Sequence, residues 1–348
     1  MALDYTVKYA KEFAQCFKKG SITNSAAGHD YDFTGARGVK IYSMVTAELN
    51  DYNRGGSRYG TVTDLEYTTQ EMLCSQAKTF TKHLERLDNA DISADATAGK
   101  FLRMQLDEVV TPTMDKYRLK KWVMGAATLI QQNTAPTTGT IVGDIMKLKG
   151  AMGDNLVPDT NLTLFISNTY FIMLKQADAV VAVDGYNRQA VEKGVVGMFD
   201  GMKVVPVPST WLPAGVYFMI KAKGTTADPV KLAQYDKIEK AVGYSGPVVQ
   251  GLVYYDSFVI GAKNVGIGVC GANTAVLAAP VLAVANGTLT ATAVTGVTFY
   301  ATLDGSDPRT STTRVAIGSG ITIATGQTAR AIGEKDGCVS LEATKTAT

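Results

Sequence analysis

Gly266-Ile-Gly268-Val-Cys-Gly271 has the spacing that lets a backbone approach a pyrophosphate. That chemistry needs a helix opening at the glycines and an acidic residue about 20 positions later to hold a ribose. Pro280 and a Thr/Val-rich stretch stand where the helix would be, and the first acid is Asp304, so these glycines read as a strand end. His83 lies among Lys82, Glu85 and Asp88, a set that would move protons if imidazole and carboxylate met in a pocket. On a segment charged on both faces, such a histidine belongs at a surface or an interface. Asp304-Gly-Ser-Asp307-Pro308 offers two carboxylates to a sugar or a cation. The plainer reading is a tight turn, in which Gly305 takes φ > 0 and the Asp side chains accept from nearby backbone N–H groups.

No Gly-x-Ser-x-Gly elbow, His-Glu-x-x-His pair or phosphate loop occurs. The cysteines stand apart at 16, 74, 270 and 338, and with only His29 and His83 they make no zinc pattern. The sequence therefore assigns no catalytic, cofactor-binding or metal-ligating residue. Asn161-Leu-Thr163 and Asn286-Gly-Thr288 match a glycosylation acceptor, which carries little without an export signal.

The 348 residues suffice for two or three domains at roughly 150 residues each. At 46% apolar and 19% charged, a sizeable core is expected and global disorder is excluded. Lys+Arg 34 against Asp+Glu 32 leaves +2, so no overall field draws the chain to nucleic acid or anionic lipid. Lys18-Lys19 and Lys120-Lys121 read as solvated faces, though a face turned to nucleic acid would look the same. Residues 264–303 carry no charge, but Pro280, Asn273 and Asn286 interrupt them, so strands and turns are expected there, with no membrane partner. The N-terminal residues lack an apolar core segment, so an intracellular, soluble chain without disulfides is expected.

The elements that must position these residues follow from periodicity. A polar arm over 1–40 carries one helical stretch with Tyr5, Tyr9, Phe13 and Phe17 at i+4 spacing. Val39–Leu49 reads as a short helix. Residues 61–88 read as two extended segments, 61–73 and 78–88, forming a hairpin polar on both sides. Such a hairpin has no core of its own and needs another chain to lie against. A helix is predicted over 97–122, kinked at Pro112. A second runs over 139–152 with Thr140 as N-cap. Strands are expected at 162–166, 202–207 (an edge, given Pro206 and Pro208), 216–221 and, as one long region, 248–269. Composition turns Thr/Ala/Gly-rich near 275, which predicts a domain boundary with few contacts across it.

Lys78-Thr-Phe80-Thr-Lys82-His83-Leu-Glu85-Arg86-Leu-Asp88, Gly99, Val109-Val-Thr-Pro112 and Asp115-Lys-Tyr117-Arg118 occur in the order found in one family. So do Val157-Pro158, Leu164-Phe-Ile-Ser167, Phe199-Asp-Gly201-Met-Lys-Val-Val-Pro-Val-Pro208 and Tyr254-Tyr-Asp256-Ser-Phe258. Over about residues 40–270 the chain resembles the tailed-phage major capsid proteins of the Hong Kong 97-type fold. The resemblance implies an α+β fold: an N-terminal arm (1–40) and a capsid core (41–274). Within the core it implies an extended loop (61–88), a spine helix (97–122), a mostly axial region (123–225) and peripheral strands (226–274). It implies a non-enzymatic virion subunit, assembled in the host cytoplasm into hexamers and pentamers around double-stranded DNA held without sequence specificity. A portal is an implied partner, and, since the arm is short for a fused scaffold, either a separate scaffolding protein or none. Lys78, Lys82, His83, Glu85, Arg86 and Asp88 are the implied inter-subunit contacts.

Pro280, Gly287, Val297-Thr-Phe299-Tyr300-Ala-Thr302-Leu-Asp304-Gly-Ser-Asp307-Pro308 and Ser340 resemble a different family, the immunoglobulin-like C-terminal domains of chitobiases and β-hexosaminidases. This implies an all-β sandwich over 275–348 on the outer surface, with Tyr300, Asp304 and Asp307 as candidate contacts to host-surface glycans. Two rival readings are a host-encoded nanocompartment shell of the same fold and a carbohydrate-active protein. The latter fits poorly with two Trp and no export signal.

Overall fold

A computed structural model describes residues 20–28, 31, 38–44, 49, 52, 54–55, 64–65, 67–85, 98–177, 197–239 and 243–347. Helical expectations for residues 5–17 lie outside these, as do Arg86 and Asp88. The chain begins β1 (Gly38–Met44), β2 (Tyr67–Leu73), β3 (Gln76–His83), α1 (Ala98–Gln105), a π-helical turn (Leu106–Val110) and α2 (Thr111–Gly125). Next come β4 (Thr128–Gln132), α3 (Ile141–Asp154), β5 (Leu162–Ser167), α4 (Asn168–Gln176), β6 (Met198–Phe199), β7 (Met202–Val207) and β8 (Val216–Ala222). Then follow β9 (Thr226–Ala227), β10 (Val230–Ile238), β11 (Val248–Tyr255), β12 (Phe258–Val259), a 3₁₀ turn (Gly261–Gly266) and β13 (Ile267–Ala272). The last part holds β14 (Leu282–Ala285), β15 (Thr288–Ala291), β16 (Thr298–Thr302), β17 (Val315–Ala316) and β18 (Ile321–Thr322). It closes with β19 (Thr328–Lys335), β20 (Cys338–Val339) and β21 (Ala343–Thr346).

The main core is a six-stranded sheet in the order β4-β13-β8-β5-β7-β6. β5 and β8 are buried along their whole length, and their runs are apolar except for Thr163, Ser167 and Lys221, as suits strands covered on both faces. Alternation then sends Leu164, Ile166, Phe218 and Ile220 to one face, against Ile141, Ile145, Leu148 and Met152 of α3. Phe165 and Met219 go to the other, against Leu119, Trp122 and Val123 of α2. Trp122 and Phe165 lie 5.6 Å apart between ring centres. The glycines of the Gly-x-Gly-x-x-Gly run sit in and before β13. A Cβ on Gly268 would come within 3.0 Å of Leu148 and closer still to Met152, so this glycine admits α3. No helix follows, and the strand-end reading holds.

Four expectations are corrected. The described part of the Val39–Leu49 segment, Val39 to Met44, is strand and not helix: Val39 and Ile41 turn inward while Lys40, Tyr42 and Met44 turn out, a period of two. The 61–88 segments do not form a hairpin with each other. β2 pairs with β1 (Gly38↔Leu73 to Met44↔Tyr67), while β3 pairs with β11 (Gln76↔Tyr255 to His83↔Val248). Its core is within its own chain: Phe80 lies over Gly251, where a Cβ would meet its ring at 2.3 Å, and contacts Phe101 and Tyr235. The long helix is interrupted by the π turn just before Pro112, which lacks the N–H that an α-helical register would use there. The 248–269 region is three strands in three sheets: β11 beside β3, β12 paired with β9 after a break at Asp256, and β13 in the six-stranded sheet. Thr140 occupies the N-cap position of α3, but its hydroxyl accepts from Thr137 N–H instead of capping the helix.

After 275, a three-stranded sheet (β14-β15-β18) and a larger one (β17-β16-β19-β20, with β21 on β19) enclose Leu289, Ala301, Ile317, Ile323, Ala329 and Ala331. The expectation of few contacts across residue 275 is corrected. Ala275, Val276 and Cys338 belong to the apolar cluster of Leu119 and Trp122, and Asn264 Nδ2 donates to Asp307 Oδ2 at 2.5 Å.

α3 ends on Leu156, whose φ is +59° and whose side chain is 90% exposed, while Val157 N–H closes onto Met152 C=O. Glycine fits that left-handed position without the Cβ penalty. Leu156→Gly is therefore expected to stabilise the fold by about 1 kcal/mol, read as a raised denaturant midpoint. A lowered midpoint would contradict this.

Candidate functional site

The charged set on β3 is only partly brought together. β3 is the outer strand of the order β10-β11-β3, so its far edge carries unpaired backbone groups among the described residues. Lys78 and Lys82 are exposed, as suits an edge strand that must not pair at random. His83 is half-buried, with Nε2 at 3.6 Å from Glu85 Oε2 and its ring 5.0 Å from that of Tyr244. On the face opposite Lys78 and Lys82, which His83 shares by alternation, Thr79, Thr81, Gln234, Asp236, Gln250 and Leu252 line a shallow polar groove. These are groups for contact and hydrogen bonding, spread along a strand with no enclosed centre.

The Asp304–Pro308 string is a turn whose carboxylates are engaged internally. Asp304 Oδ1 accepts from Ser306 N at 3.0 Å and from its hydroxyl, and Oδ2 accepts from Thr313 at 2.5 Å. Burial alone would raise its pKa, but these hydrogen bonds outweigh that and hold it below the usual carboxylate value. Asp307 accepts from Arg309 N at 2.8 Å and from Asn264, and Gly305 takes φ +76°. Arg330 grips Glu342 with two bonds, at 2.5 and 3.0 Å. The face of Tyr300 is covered by the Arg314 guanidinium at 4.4 Å. Ser306, Asp307, Thr310 and Arg330 share a cleft with Ser43, Thr69 and Gln70, so the turn packs on the core and is not a free loop tip.

Three buried carboxylates have a role that the sequence did not assign, although Asp115 and Asp256 stand within the ordered motifs. Asp115 accepts from Ile22 N and the Ser21 hydroxyl at 2.8 Å each and from the Thr23 hydroxyl at 2.5 Å. Asp228 accepts from Gly28 N and Trp122 Nε1 at 3.0 Å, Thr226 at 2.6 Å and Ser257 at 2.5 Å. Asp256 accepts from Ser75 N, Ser257 N and the Tyr117 hydroxyl, each at 2.8 Å. Burial first, then this bond, pushes the Tyr117 phenol well above its ordinary pKa. Beside them Lys221 is fully buried, donating to Ala26 C=O with its ammonium 4.6 Å from the Trp122 ring centre. Asp115, Asp228 and Lys221 pin residues 21–28 onto α2 and the sheet, while Asp256 ties Ser75 to Tyr117 of α2. Their acceptors are filled, which suits holding chain segments rather than moving protons. A signal existed for Asp115: it shares the stripe of Leu119 and Trp122 at i+4 and i+7, an acid on an apolar helix face.

No protein-family model and no curated protein matches the sequence. Among solved structures, one from Mycobacterium phage Che8 is similar at TM-score 0.65 and 12% identity, with 77% of this chain and 97% of that one covered. The capsid structure of cyanophage P-SCSP1u is similar at TM-score 0.61 and 13% identity, over 77% of this chain and 93% of that one. A subunit of the bacteriophage PhiM1 mature capsid gives TM-score 0.60 and 10% identity, over 77% and 92%. The chain has the fold of phage capsid structures. Nearly all of those chains finds a counterpart in about three quarters of this one, and the mixed α and β architecture agrees with the expected class. Among the described residues no helix is long and apolar enough to cross a membrane.

Proposed function

We propose that the chain is the major capsid subunit of a tailed phage, closing as hexamers and pentamers into an icosahedral shell around double-stranded DNA. The observation that carries this is the coverage of 92–97% of three phage structures, two of them titled as capsids, at TM-scores of 0.60–0.65. On this reading residues 61–88 are the extended loop, α1 to α2 the spine, residues 123–225 the mostly axial region and residues 226–274 the peripheral strands, of which β13 joins the sheet of the axial region. Its chemistry is association, not catalysis: exposed Lys78 and Lys82 on an edge strand, with Glu85, Arg86 and Asp88, meet neighbouring subunits. A portal and the packaged DNA are its further partners, with a separate scaffolding protein or none, and the virion is its destination after assembly in the host cytoplasm.

Residues 275–348 make up about a fifth of the chain, close to the share left unmatched, and we read them as an immunoglobulin-like surface module. Its two sheets and separate apolar cluster support this. Glycan contact at Tyr300, Asp304 and Asp307 is the weaker part of the reading, because these groups already serve internal partners.

Light scattering of the purified chain tests the assignment: large particles of uniform size are expected. Arg86→Glu is expected to keep the native circular dichroism and melting temperature while losing those particles. Exposed pairs contribute only about 0–1 kcal/mol each but act together over many copies. Normal particles from Arg86→Glu would remove this contact from the account.

A further inference from the structure

Asn286-Gly287 is the one Asn-Gly step in the chain. It forms the two-residue turn between β14 and β15, with Ala285 paired to Thr288 and left-handed φ values of +50° and +69°. This is the turn that Asn-Gly favours. Both residues are exposed, and among the described residues neither the Asn286 amide nor the Gly287 N–H makes a hydrogen bond.

We propose that Asn286 is a self-modification site, which deamidates to aspartate and isoaspartate in the folded protein. The Gly287 nitrogen, on losing its proton to hydroxide, attacks Cγ of Asn286. The new N–Cγ bond closes a succinimide ring as the Cγ–Nδ2 bond breaks, and the amide leaves as ammonia, protonated by water. A second water opens the ring at either carbonyl, giving an α- or a β-linked aspartate. Only water is consumed. Glycine permits the attack because no Cβ stands beside its nitrogen, and asparagine is among the residues that limit protein lifetime when heated.

The structure distinguishes this step from its neighbours in kind. Asp200-Gly201 and Asp336-Gly337 occupy turns with nearly the same φ pairs, +47° and +76°, and +50° and +87°. An α-linked aspartate at 286 would therefore be accommodated without distortion. Those aspartates present carboxylates, which expel a leaving group poorly, and Asp200 is held by Lys149 at 2.5 Å. Asp304, before Gly305, is held by Ser306 and Thr313. A β-linked product differs: it adds a methylene to the main chain of a two-residue turn. That change disrupts the Ala285↔Thr288 pairing and the 2.9 Å bond from Ile323 N–H to Gly287 C=O, which joins the hairpin to the segment after β18.

The test is incubation of the folded full-length chain at mildly alkaline pH, followed by digestion and peptide mass spectrometry of every asparagine. The expected result is amide-to-acid conversion at Asn286, growing with time and pH and many-fold above any other asparagine, with isoaspartate detected by enzymatic methyl transfer. Isoelectric focusing should show one added negative charge, absent in Asn286→Gln. Asn286→Asp should carry that charge from the start. An intact Asn286 in the folded chain, over a period in which the same chain in denaturant converts, would overturn the proposal. So would conversion spread evenly over the asparagines.

Discussion

Replacing Asp228 by alanine is expected to cost the fold about 3 to 5 kcal/mol, the range for removing one partner of a buried charged network. Four donors converge on this carboxylate, from Gly28, Trp122, Thr226 and Ser257, and all would lose their acceptor where water cannot replace it. The Lys221 ammonium would also lose the nearest charge that favours it. Against a typical total of about 5 to 15 kcal/mol, such a loss brings the chain near its unfolding threshold. Denaturant titration of Asp228→Ala and Asp228→Asn against the parent checks this. The asparagine variant, which keeps one acceptor oxygen, should fall between them. A loss below about 1 kcal/mol in the alanine variant would show that the network is not what pins residues 21–28.

The second large effect concerns Lys221. Burial, opposed by Asp228 and reinforced by Arg118, lowers its pKa from 10.5 to about 8. Between those values the unfolded chain holds a proton that the folded chain has released, so stability rises with pH across that window. Below about pH 8 both states are protonated and the full penalty is present. The difference corresponds to about 3 kcal/mol at neutral pH, partly offset by the bond to Ala26 and the contact with Trp122. Lys221→Met keeps the volume and removes the charge. The parent's unfolding free energy should climb between pH 8 and 10 by more than the variant's does, and the variant should be the more stable below pH 8. Parallel pH profiles would contradict the assignment.

What was legible in the sequence was local. β5 and β8 announced themselves as mainly apolar runs, and α3 as the stripe of Ile141, Ile145 and Leu148. What was not legible depended on partners far along the chain. The β3 segment looked coreless because Phe80 stands alone among charges. Its core is the hollow left by Gly251 on β11, and nothing near residue 80 signals that glycine. The Asp304–Pro308 string is legible as a turn, but its hold on the rest of the chain is not, because the bond from Asn264 is a tertiary contact. Nothing in the sequence around Asp228 and Asp256 signals their burial, which follows from donors that segments far along the chain bring to them. Only Asp115, on an apolar helical stripe, carried its own signal.

Electron microscopy of the purified full-length chain tests the central claim most directly. The account predicts closed particles whose averaged surface resolves into clusters of five and six subunits. A monodisperse monomer at every protein and salt concentration tried, with no particles in the images, would contradict it.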